Sequence, residues 1–435
     1  MHVTPHHPTK SIIFYFQVHQ PRRLRNFQFF DIGSHDEYFD DRLNEKILTS
    51  IATDCYVPTN TMLLNLIKHH PEVKICFSIS GITLDQFEKY TPEVIESFKL
   101  LAQTGSVEFL SETHYHSLAC MISEEEFQMQ IFQHAEKIHH HFGLRTNVLR
   151  NTDLLYNDQI GGVAAKLGFR GILCDGVRQV LNSKGPHHIY KHPTEKDLRI
   201  LVRNKPLSDD IVLRFGAGKS QLTVDHYIKS LCNMPTEDSI ILVGMKYEKF
   251  GGHQKIETGK MDFLHDLLTK IIKDKKLTSA LPTEVLHAND SATELSIGDS
   301  LSLSDERKGV SDWLGNDMQK EAFSALKGLE LKVKKTSDEE LIHMWRLLQT
   351  SEHFYYMSTN KLSERSFDAY FSHFASPHEA FINYMNIISD LAIRIKKAPL
   401  QTGLDRQAKA LEHERQHSSA PLWAVKKEGH HKSVL

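Results

Sequence analysis

Two short polar stretches follow apolar runs that are typical of β-strands. Asp153 closes the first stretch, directly after the run 148–150, and Lys246 and Glu248 lie in the second, directly after the run 240–243. In a β/α barrel, residues just past the C-terminal ends of the strands line the active site. Hydrolytic chemistry that uses two carboxyl groups would need an acidic residue at each place. This chain has a short aspartate at the first place and a lysine at the second.

Strand-like and helix-like segments alternate through the first 270 residues. The predicted strands are 11–18, 73–79, 107–110, 147–150, 171–173, 198–202, 211–215 and 240–243, and the predicted helices are 59–70, 91–104, 124–142, 158–167 and 225–233. Apolar strands that alternate with helices indicate a parallel sheet, and about seven such units favour a closed or nearly closed barrel. An open doubly wound sheet is the alternative, because the sequence pattern alone does not show closure.

The character of the sequence changes after about residue 275, and we divide the chain into four parts. Residues 1–275 are predicted to form the barrel, and residues 276–316 an irregular connection rich in Ser, Asp and Thr. Residues 317–400 carry apolar side chains at helical spacing and are predicted to form a helical region. Residues 401–435 are polar, and we expect a mobile tail.

The composition excludes several classes of protein. The net charge is −3 with both signs interspersed, which does not favour a nucleic-acid partner. No run reaches the roughly 18–20 apolar residues of a membrane span, and the N-terminus lacks the apolar stretch of a signal peptide. The five cysteines are scattered, without a CxxC pair, as in reduced proteins. We therefore predict a cytoplasmic protein that contacts neither nucleic acid nor a membrane; the oligomeric state stays open.

Further polar residues are predicted near the strand ends. His19 and Gln20 follow the first strand and could hydrogen-bond a sugar hydroxyl, although a turn broken by Pro21 is an equally good interpretation. Glu108 and Glu112 lie in and just after the third strand, where an acidic side chain is costly unless it is paired. This cost favours a functional role for the two glutamates.

A metal site is a weaker interpretation of the same region. His114 and His116 share a strand face, and together with His19, Glu112 and Asp175 they could hold a divalent ion. The chain contains 28 histidines, however, and no longer spacing of His, Asp or Cys supports a metal. We therefore predict no metal and no cofactor.

Five stretches fall in the order of the five sequence regions of glycoside hydrolase family 57. They are HQP (19–21), GSVEFLSET (105–113), NTD (151–153), YEKFGGHQ (247–254) and WLGNDMQ (313–319). The chain most resembles the α-amylase and α-amylase-like branch of that family, and LQTSEHFYYM (348–357) matches a further stretch in its helical part. The resemblance runs from about residue 11 to residue 395. It implies an incomplete (β/α)7 TIM-like barrel followed by a helical region, retaining chemistry on α-glucans, and no metal in the catalytic step.

The resemblance also implies roles for individual residues. The family's nucleophile is a Glu at the position of Asp153, and its general acid/base is an Asp at the position of Lys246. Contacts with an α-glucan or maltooligosaccharide are implied for His19, Gln20, Glu108, Glu112, His116, Tyr247, Trp313 and Asn316. Both catalytic positions are therefore substituted, while most of the substrate-contacting positions match.

The two substitutions differ in severity. Replacing Glu by Asp withdraws the carboxylate by about one C–C bond, and a misplacement near 1 Å can cost on the order of 100-fold in rate. Lys246 is a poor proton donor with an ordinary pKa near about 10.4, although burial could lower that pKa. We favour an ion pair between Lys246 and Asp153 over a catalytic lysine. Glu248 is then the best substitute acid.

Three hypotheses follow from the sequence. The first is an α-glucan-binding protein with absent or much reduced hydrolysis. The second is an active retaining hydrolase or glucanotransferase that uses Asp153 and a substitute acid such as Glu248. The third is a metal-dependent, deacetylase-like activity that uses the histidines near His114 and His116. The first has the most support.

Overall fold

The computed structural model describes residues 9–176, 181, 185–214, 222–234, 240–251, 259–286, 292–298, 310–359 and 372–399 of the 435-residue chain. Within these ranges the strands are β1 (Lys10–Val18), β2 (Ile75–Ile79), β3 (Val107–Phe109), β4 (Val148–Leu149), β5 (Gly171–Asp175), β6 (Ile189–Lys191), β7 (Arg199–Arg203), β8 (Ile240–Lys246), β9 (Leu277–Ser279) and β10 (Thr293–Glu294). The helices of the first part are α1 (Asp41–Ile51), α2 (Val57–His69), α3 (Gly81–Tyr90), α4 (Pro92–Ala102), α5 (Ala119–Ile122), α6 (Glu124–Phe142), α7 (Asp158–Lys166), α8 (Lys205–Arg214), α9 (Val224–Cys232), α10 (Lys260–Lys273) and α11 (Pro282–Val285). Those of the second part are α12 (Ser311–Leu314), α13 (Asp317–Lys327), α14 (Glu330–Thr336), α15 (Glu339–Leu347), α16 (Ser351–Tyr355) and α17 (Pro377–Lys397).

Parallel strands form a ring in the order β1, β2, β3, β4, β5, β7 and β8, and β8 pairs with β1 again. The join between β3 and β4 is a single bridge, in which Ser111 accepts from the Arg150 amide at 2.7 Å and donates to the Val148 carbonyl at 2.9 Å. The join between β7 and β8 is the pair Arg203–Leu242. The prediction of an incomplete (β/α)7 barrel is confirmed. The alternative of an open doubly wound sheet is wrong, because the strands join into a ring.

Alternation along β1 separates the two sides of the barrel wall. Phe14 and Phe16 belong to the large apolar core, which also includes side chains of the surrounding helices. Ile13 and Tyr15 belong to a second cluster, which consists mainly of side chains of the other barrel strands. Successive strand residues point to opposite faces, so Gln17 shares the inner face with Ile13 and Tyr15. The strand therefore carries a polar side chain inward at its C-terminal end, where the barrel opens.

The helical region is tied to the barrel by buried polar contacts. Ser117 and Thr350 form an isolated bridge, and the Ser351 amide donates to the His116 carbonyl at 3.0 Å. These contacts fix the start of α16 over the C-terminal end of β3. The helical region thereby becomes part of the barrel mouth.

Most of the predicted strands and helices are confirmed, one predicted strand is wrong, and the helices α1, α3 and α10 were not predicted. The helix predicted at 124–142 is α6 with the same bounds, because Ser123 caps its start and Gly143 ends it in a left-handed conformation. The strand predicted at 211–215 is wrong: residues up to Arg214 lie in α8, and residue 215 is outside the described ranges. Asn204, whose side chain accepts from the Leu207 amide at 3.2 Å, is the start signal for this helix.

The part of the chain predicted as an irregular connection, 276–316, contains regular elements. β9 pairs with the start of β1 and β10 pairs with β6, so both belong to the sheet. The predicted tail, 401–435, lies outside the described residues. Among the described helices, none has both the length and the apolar character needed to cross a membrane.

Candidate active site at the barrel mouth

The turn that carries Asp153 is fixed by its two preceding side chains. Asn151 accepts from the Thr152 amide and donates to the Leu155 carbonyl, both at 2.9 Å, and the Thr152 hydroxyl donates to the Ser117 carbonyl at 2.6 Å. Asp153 itself has φ 46° and ψ 36°, in the left-handed region. Asp is one of the few residue types with a side chain that tolerates this conformation. The turn therefore holds the carboxylate at the mouth, with 19% of the side chain exposed.

Two cationic side chains face the Asp153 carboxylate without reaching hydrogen-bond distance. His116 Nε2 lies 3.8 Å and Arg150 Nη2 lies 3.7 Å from Asp153 Oδ1. Charged hydrogen bonds are usually about 2.7–2.9 Å long. Burial alone would raise the pKa of Asp153, but the neighbouring His116 and then Arg150 outweigh it and lower this pKa. The carboxylate is therefore ionised, which suits a nucleophile.

Glu112 contacts the same two cationic side chains, His116 and Arg150, from inside the barrel. Its carboxylate accepts from Ser78 and from His116 Nδ1 at 2.7 Å, and it lies 3.7 Å from Arg150 Nη1. Burial raises the pKa of Glu112, but the hydrogen bond and charge of His116 bring it down to about 2. Burial lowers the pKa of His116, but its two carboxylate neighbours, Asp153 and Glu112, raise it to about 9. His116 also has an unusual φ of 50°, so the structure around it enforces a strained backbone.

Glu352 from α16 completes the mouth, and sequence reasoning missed it. Its Oε2 lies 3.1 Å from His19 Nε2, and the ring of His19 stacks on that of His116 at a centroid distance of 3.9 Å. Burial would raise the pKa of Glu352, but His19, His116 and Lys246 hold it far below its usual value. The sequence signal for Glu352 is its place in the stretch 348–357, which resembles the family as a whole without singling out this residue.

Lys246 lies at the end of β8, opposite Gln17 in the register. Partners in a parallel pair point to the same face, so Lys246 shares the inner face with Gln17, whose amide nitrogen is 3.2 Å from His116 Nε2. The charge of Lys246 also lowers the pKa of Glu352. The charged neighbours described above for Asp153 are His116 and Arg150, so the ion pair between Lys246 and Asp153 stays a prediction.

Glu248 is placed behind the mouth. Its side chain accepts from the Tyr56 hydroxyl and from the His19 amide at 3.2 Å, and the residue is 1% exposed. Burial raises the pKa of Glu248. This shift is towards the protonated form, but the side chain contacts Tyr56 and the His19 backbone.

Most of the other residues predicted to contact the substrate make structural contacts within the protein. Tyr247 is buried among aromatic rings and donates to Asn60 at 2.7 Å. Asn316 caps α13 by accepting from the Gln319 amide at 2.9 Å, and Trp313 is 2% exposed. Gln20 is buried and accepts from Arg23 at 3.2 Å. The structure brings together His19, Glu112, His116 and Asp153, and it does not bring these four others into that cluster.

Glu108 corrects an expectation, because it does not lie at the mouth. It follows the first residue of β3, and its carboxylate accepts from the amide and hydroxyl of Thr283 at the start of α11, at 3.0 and 2.9 Å. Counting along the strand, only Glu112 is far enough along to reach the C-terminal end. Burial raises the pKa of Glu108 to about 7.

Glu108→Gln is expected to stabilise the protein at pH 8. The folded state raises this pKa from about 4.5 to about 7, so it favours the protonated carboxyl group. The contribution of Glu108 to the free energy of unfolding is therefore fully present below pH 4.5 and is lost as the pH rises through 7. Glutamine stays neutral and still accepts from Thr283, so the gain in unfolding free energy has an upper limit of about 3 kcal/mol. Urea unfolding at pH 8 and pH 4.5 measures it, and equal gains at both pH values would contradict the assignment.

The five residues predicted from the sequence as possible metal ligands do not form one cluster. His114 lies 3.0 Å from Asp85 in an open groove next to α3, and Asp175 accepts from Arg203 Nε at 2.8 Å. Glu112 contacts His116 Nδ1 as a hydrogen-bond partner. Two of the five predicted ligands, His19 and His116, do lie close together. A ring nitrogen of each is within 4.8 Å of a carboxylate oxygen of Glu352, which was not predicted.

Asp175→Asn is expected to lower the free energy of unfolding by about 2 kcal/mol. It removes the carboxylate 2.8 Å from the buried Arg203 guanidinium and leaves, among the carboxylates of the described residues, only that of Asp209, which is more distant at 3.6 Å. Thermal and urea unfolding measure the change. A loss below about 1 kcal/mol would mean that the pair contributes little, and a matched Asp266→Asn substitution on the exposed face of α10 should be neutral.

Comparison with known proteins decides the family. A family model described as glycosyl hydrolase family 57 matches residues 13–297, more than half of the chain. The chain belongs to glycosyl hydrolase family 57. A Methanocaldococcus jannaschii protein described as "Putative alpha-amylase" is 35% identical over 422 residues, which cover 93% of this chain and 89% of that protein.

Solved structures, among them that of a family 57 branching enzyme, share the fold. A branching enzyme from Thermococcus kodakaraensis superposes with a TM-score of 0.64 at 11% identity, over 93% of this chain and 94% of that one. A 4-alpha-glucanotransferase from Thermococcus litoralis gives a TM-score of 0.63 at 14% identity, over 80% of this chain and 56% of that longer one. At these identities the likeness establishes the barrel and the helical region.

Proposed function

We propose that this family 57 protein binds an α-glucan or maltooligosaccharide at the barrel mouth and hydrolyses it very slowly or not at all. The observation that carries the proposal is the position of Lys246, at the C-terminal end of β8 and on the same face as Gln17. At this position the family resemblance implies the general acid. An ammonium there disfavours the positive charge that develops on the sugar ring in the transition state.

The position of Asp153, where the family resemblance implies the nucleophile, supports the same proposal. Asp153 is ionised and partly exposed, but its carboxylate stands 3.7–3.8 Å from Arg150 and His116. A glutamate is one methylene longer, about 1.5 Å, and could close such gaps. The short side chain therefore loses hydrogen bonds that would hold a nucleophile in place, and misplacement of this size is costly in rate.

Binding is supported by the polar groups that line the mouth. His19, Glu352 and Asp153 present imidazole and carboxylate groups, and the side chains of the two acids are 16% and 19% exposed. Such groups hydrogen-bond sugar hydroxyls, and relatives with the same fold include glucan-processing enzymes. A neutral oligosaccharide of glucose is the ligand class that these features fit.

The alternative is an active retaining hydrolase or glucanotransferase in which Glu248 supplies the proton. The raised pKa of Glu248 favours it, because a general acid must carry a proton at neutral pH. Its contacts with Tyr56 and the His19 backbone disfavour it, because the carboxyl group would have to leave both to reach a glycosidic oxygen.

Calorimetric titration with maltooligosaccharides, together with assay of reducing ends released from soluble starch and glycogen, tests the proposal. Binding without new reducing ends is the expected result. Glu352→Gln should weaken binding, while His265→Ala, which alters an exposed histidine of α10, should not. No binding to any glucan would overturn the proposal, and hydrolysis that is lost with Glu248→Gln would establish the alternative.

A further inference from the structure

We propose that the barrel mouth binds one divalent transition-metal ion of the Zn²⁺ class through His19 Nε2, His116 Nε2 and a carboxylate oxygen of Glu352. One ligand-type atom of each of these residues lies within 4.8 Å of the others. The proposal stands independently of glucan binding, and it replaces the sequence-based expectation of no metal.

The two histidines are oriented as metal ligands usually are. The Nδ1 atom of His19 contacts the Ser80 hydroxyl at 2.7 Å, and the Nδ1 atom of His116 contacts the Glu112 carboxylate at 2.7 Å. Metal-ligating histidines typically donate the second ring N–H to a carboxylate or another oxygen, which fixes the ring and the tautomer. His19 Nε2 is then left to face the mouth. His116 Nε2 lies 3.2 Å from the Gln17 amide nitrogen, so the ion would take the place of this contact and of the Nε2 proton.

His19 Nε2 and Glu352 Oε2 approach each other closely at the mouth, as two ligands of one cation would. His19 Nε2 is buried and lies 3.1 Å from Glu352 Oε2; the two form an ion pair when His19 is protonated, although their geometry is not that of a hydrogen bond. When Nδ1 donates its proton to Ser80, Nε2 presents a lone pair, and a carboxylate oxygen opposite that lone pair is repelled. A shared metal ion turns this repulsion into two coordinate bonds.

The spacing fits a four-coordinate ion. Zn²⁺ binds nitrogen and oxygen ligands at about 2.0–2.2 Å, which places tetrahedral ligands roughly 3.3 Å from one another. The separation between His19 and Glu352 is close to this value. The rings of His19 and His116 are 27° from parallel, so they must tilt for both Nε2 atoms to reach one ion.

Asp153 gives the site a fourth potential ligand. Its Oδ1 lies 3.8 Å from His116 Nε2 and is partly exposed. Coordination by three side chains would leave one position for water or a ligand oxygen, as in catalytic zinc sites. Two imidazoles with a carboxylate suit Zn²⁺ and its first-row neighbours, whereas Mg²⁺ and Ca²⁺ prefer sites made of oxygen alone.

Zinc titration of the full-length, chelator-stripped protein tests the proposal. Histidines elsewhere in the chain can also take up metal, so the decisive quantity is the difference between matched variants, measured by calorimetry and by metal analysis after dialysis. We expect one equivalent of tightly bound Zn²⁺ to be lost in His19→Ala and Glu352→Gln and retained in His265→Ala. Ser80→Ala, which removes the partner of His19 Nδ1, should weaken that equivalent about 10–100-fold.

Equal zinc stoichiometry and affinity in the natural chain, His19→Ala and Glu352→Gln would overturn the proposal, since it would show adventitious binding only. Circular dichroism checks that each variant is folded; if His19→Ala unfolds, Glu352→Gln and Ser80→Ala decide the result. Binding of Co²⁺ should give the intense visible absorption of a four-coordinate site in the natural chain and not in Glu352→Gln. Glucan titration is a separate measurement, so either proposal can fail while the other stands.

Discussion

The double variant Asp153→Glu/Lys246→Asp is expected to release reducing ends from soluble starch at least about 100-fold faster than the natural chain. The change restores the two carboxyl groups that the family resemblance implies and removes the ammonium from the mouth. General acid catalysis alone contributes typically 10²–10⁴-fold, and a correctly placed nucleophile adds to it. Initial rates at saturating substrate measure the effect.

The single variants are the controls for this experiment. Catalytic groups that act as a unit are strongly non-additive, so each single change should recover much less activity than the pair. Asp153→Glu also has a conformational cost, because Asp tolerates the left-handed backbone at this position better than a longer side chain does. A folded, glucan-binding double variant without hydrolysis would mean that more than these two positions separates this chain from an active enzyme.

Glu112→Gln is expected to destabilise the fold by about 3 kcal/mol or more at neutral pH. The substitution removes the fully buried carboxylate that faces both Arg150 and His116. Asp153, at 3.7–3.8 Å from the same two cations and partly exposed, compensates their charge only in part, and a poorly compensated buried charge is costly. Guanidinium unfolding at pH 7 gives the difference in free energy. A loss below about 1 kcal/mol would show that the cations find other partners.

The pH dependence of this difference has a definite sign. The folded state depresses the pKa of Glu112 from about 4.5 to about 2, so its contribution is present above pH 4.5 and is lost as the pH falls towards 2. The gap between the natural chain and Glu112→Gln should therefore narrow on acidification. Glu108→Gln, four residues earlier in the chain, is the matched control. This substitution is expected to increase the free energy of unfolding, and the increase should appear as the pH rises through 7.

The sequence predicted the barrel well because barrel strands and helices are encoded locally. Ser123 and Gly143 mark the ends of α6, and the alternation of apolar strands with helices gave the parallel ring. The error at 211–215 arose because a short β-branched run is compatible with either structure. The side chain of Asn204, seven residues before this run, caps the helix α8 that contains it.

The site was only partly predictable, because much of it is assembled by contacts distant in sequence. His19, Glu112, His116 and Asp153 follow strand ends, which converge in any barrel of this kind, and all four were identified. Glu352 was missed because only the docking of α16 onto His116 brings it to the mouth. Glu108 was misplaced because alternation gives the face of a strand residue but not its height along the barrel.

The docking of α16 also has a consequence for the order of events during synthesis. His19 emerges from the ribosome early, whereas Glu352 and the segment that pairs with Ser117 are translated only after the whole barrel sequence. Chains are made from the N-terminus, at about 5–20 residues per second, so the complete barrel sequence waits roughly 3–15 s for that cover. During this interval His116 and His19 lack the contacts that α16 provides in the finished protein.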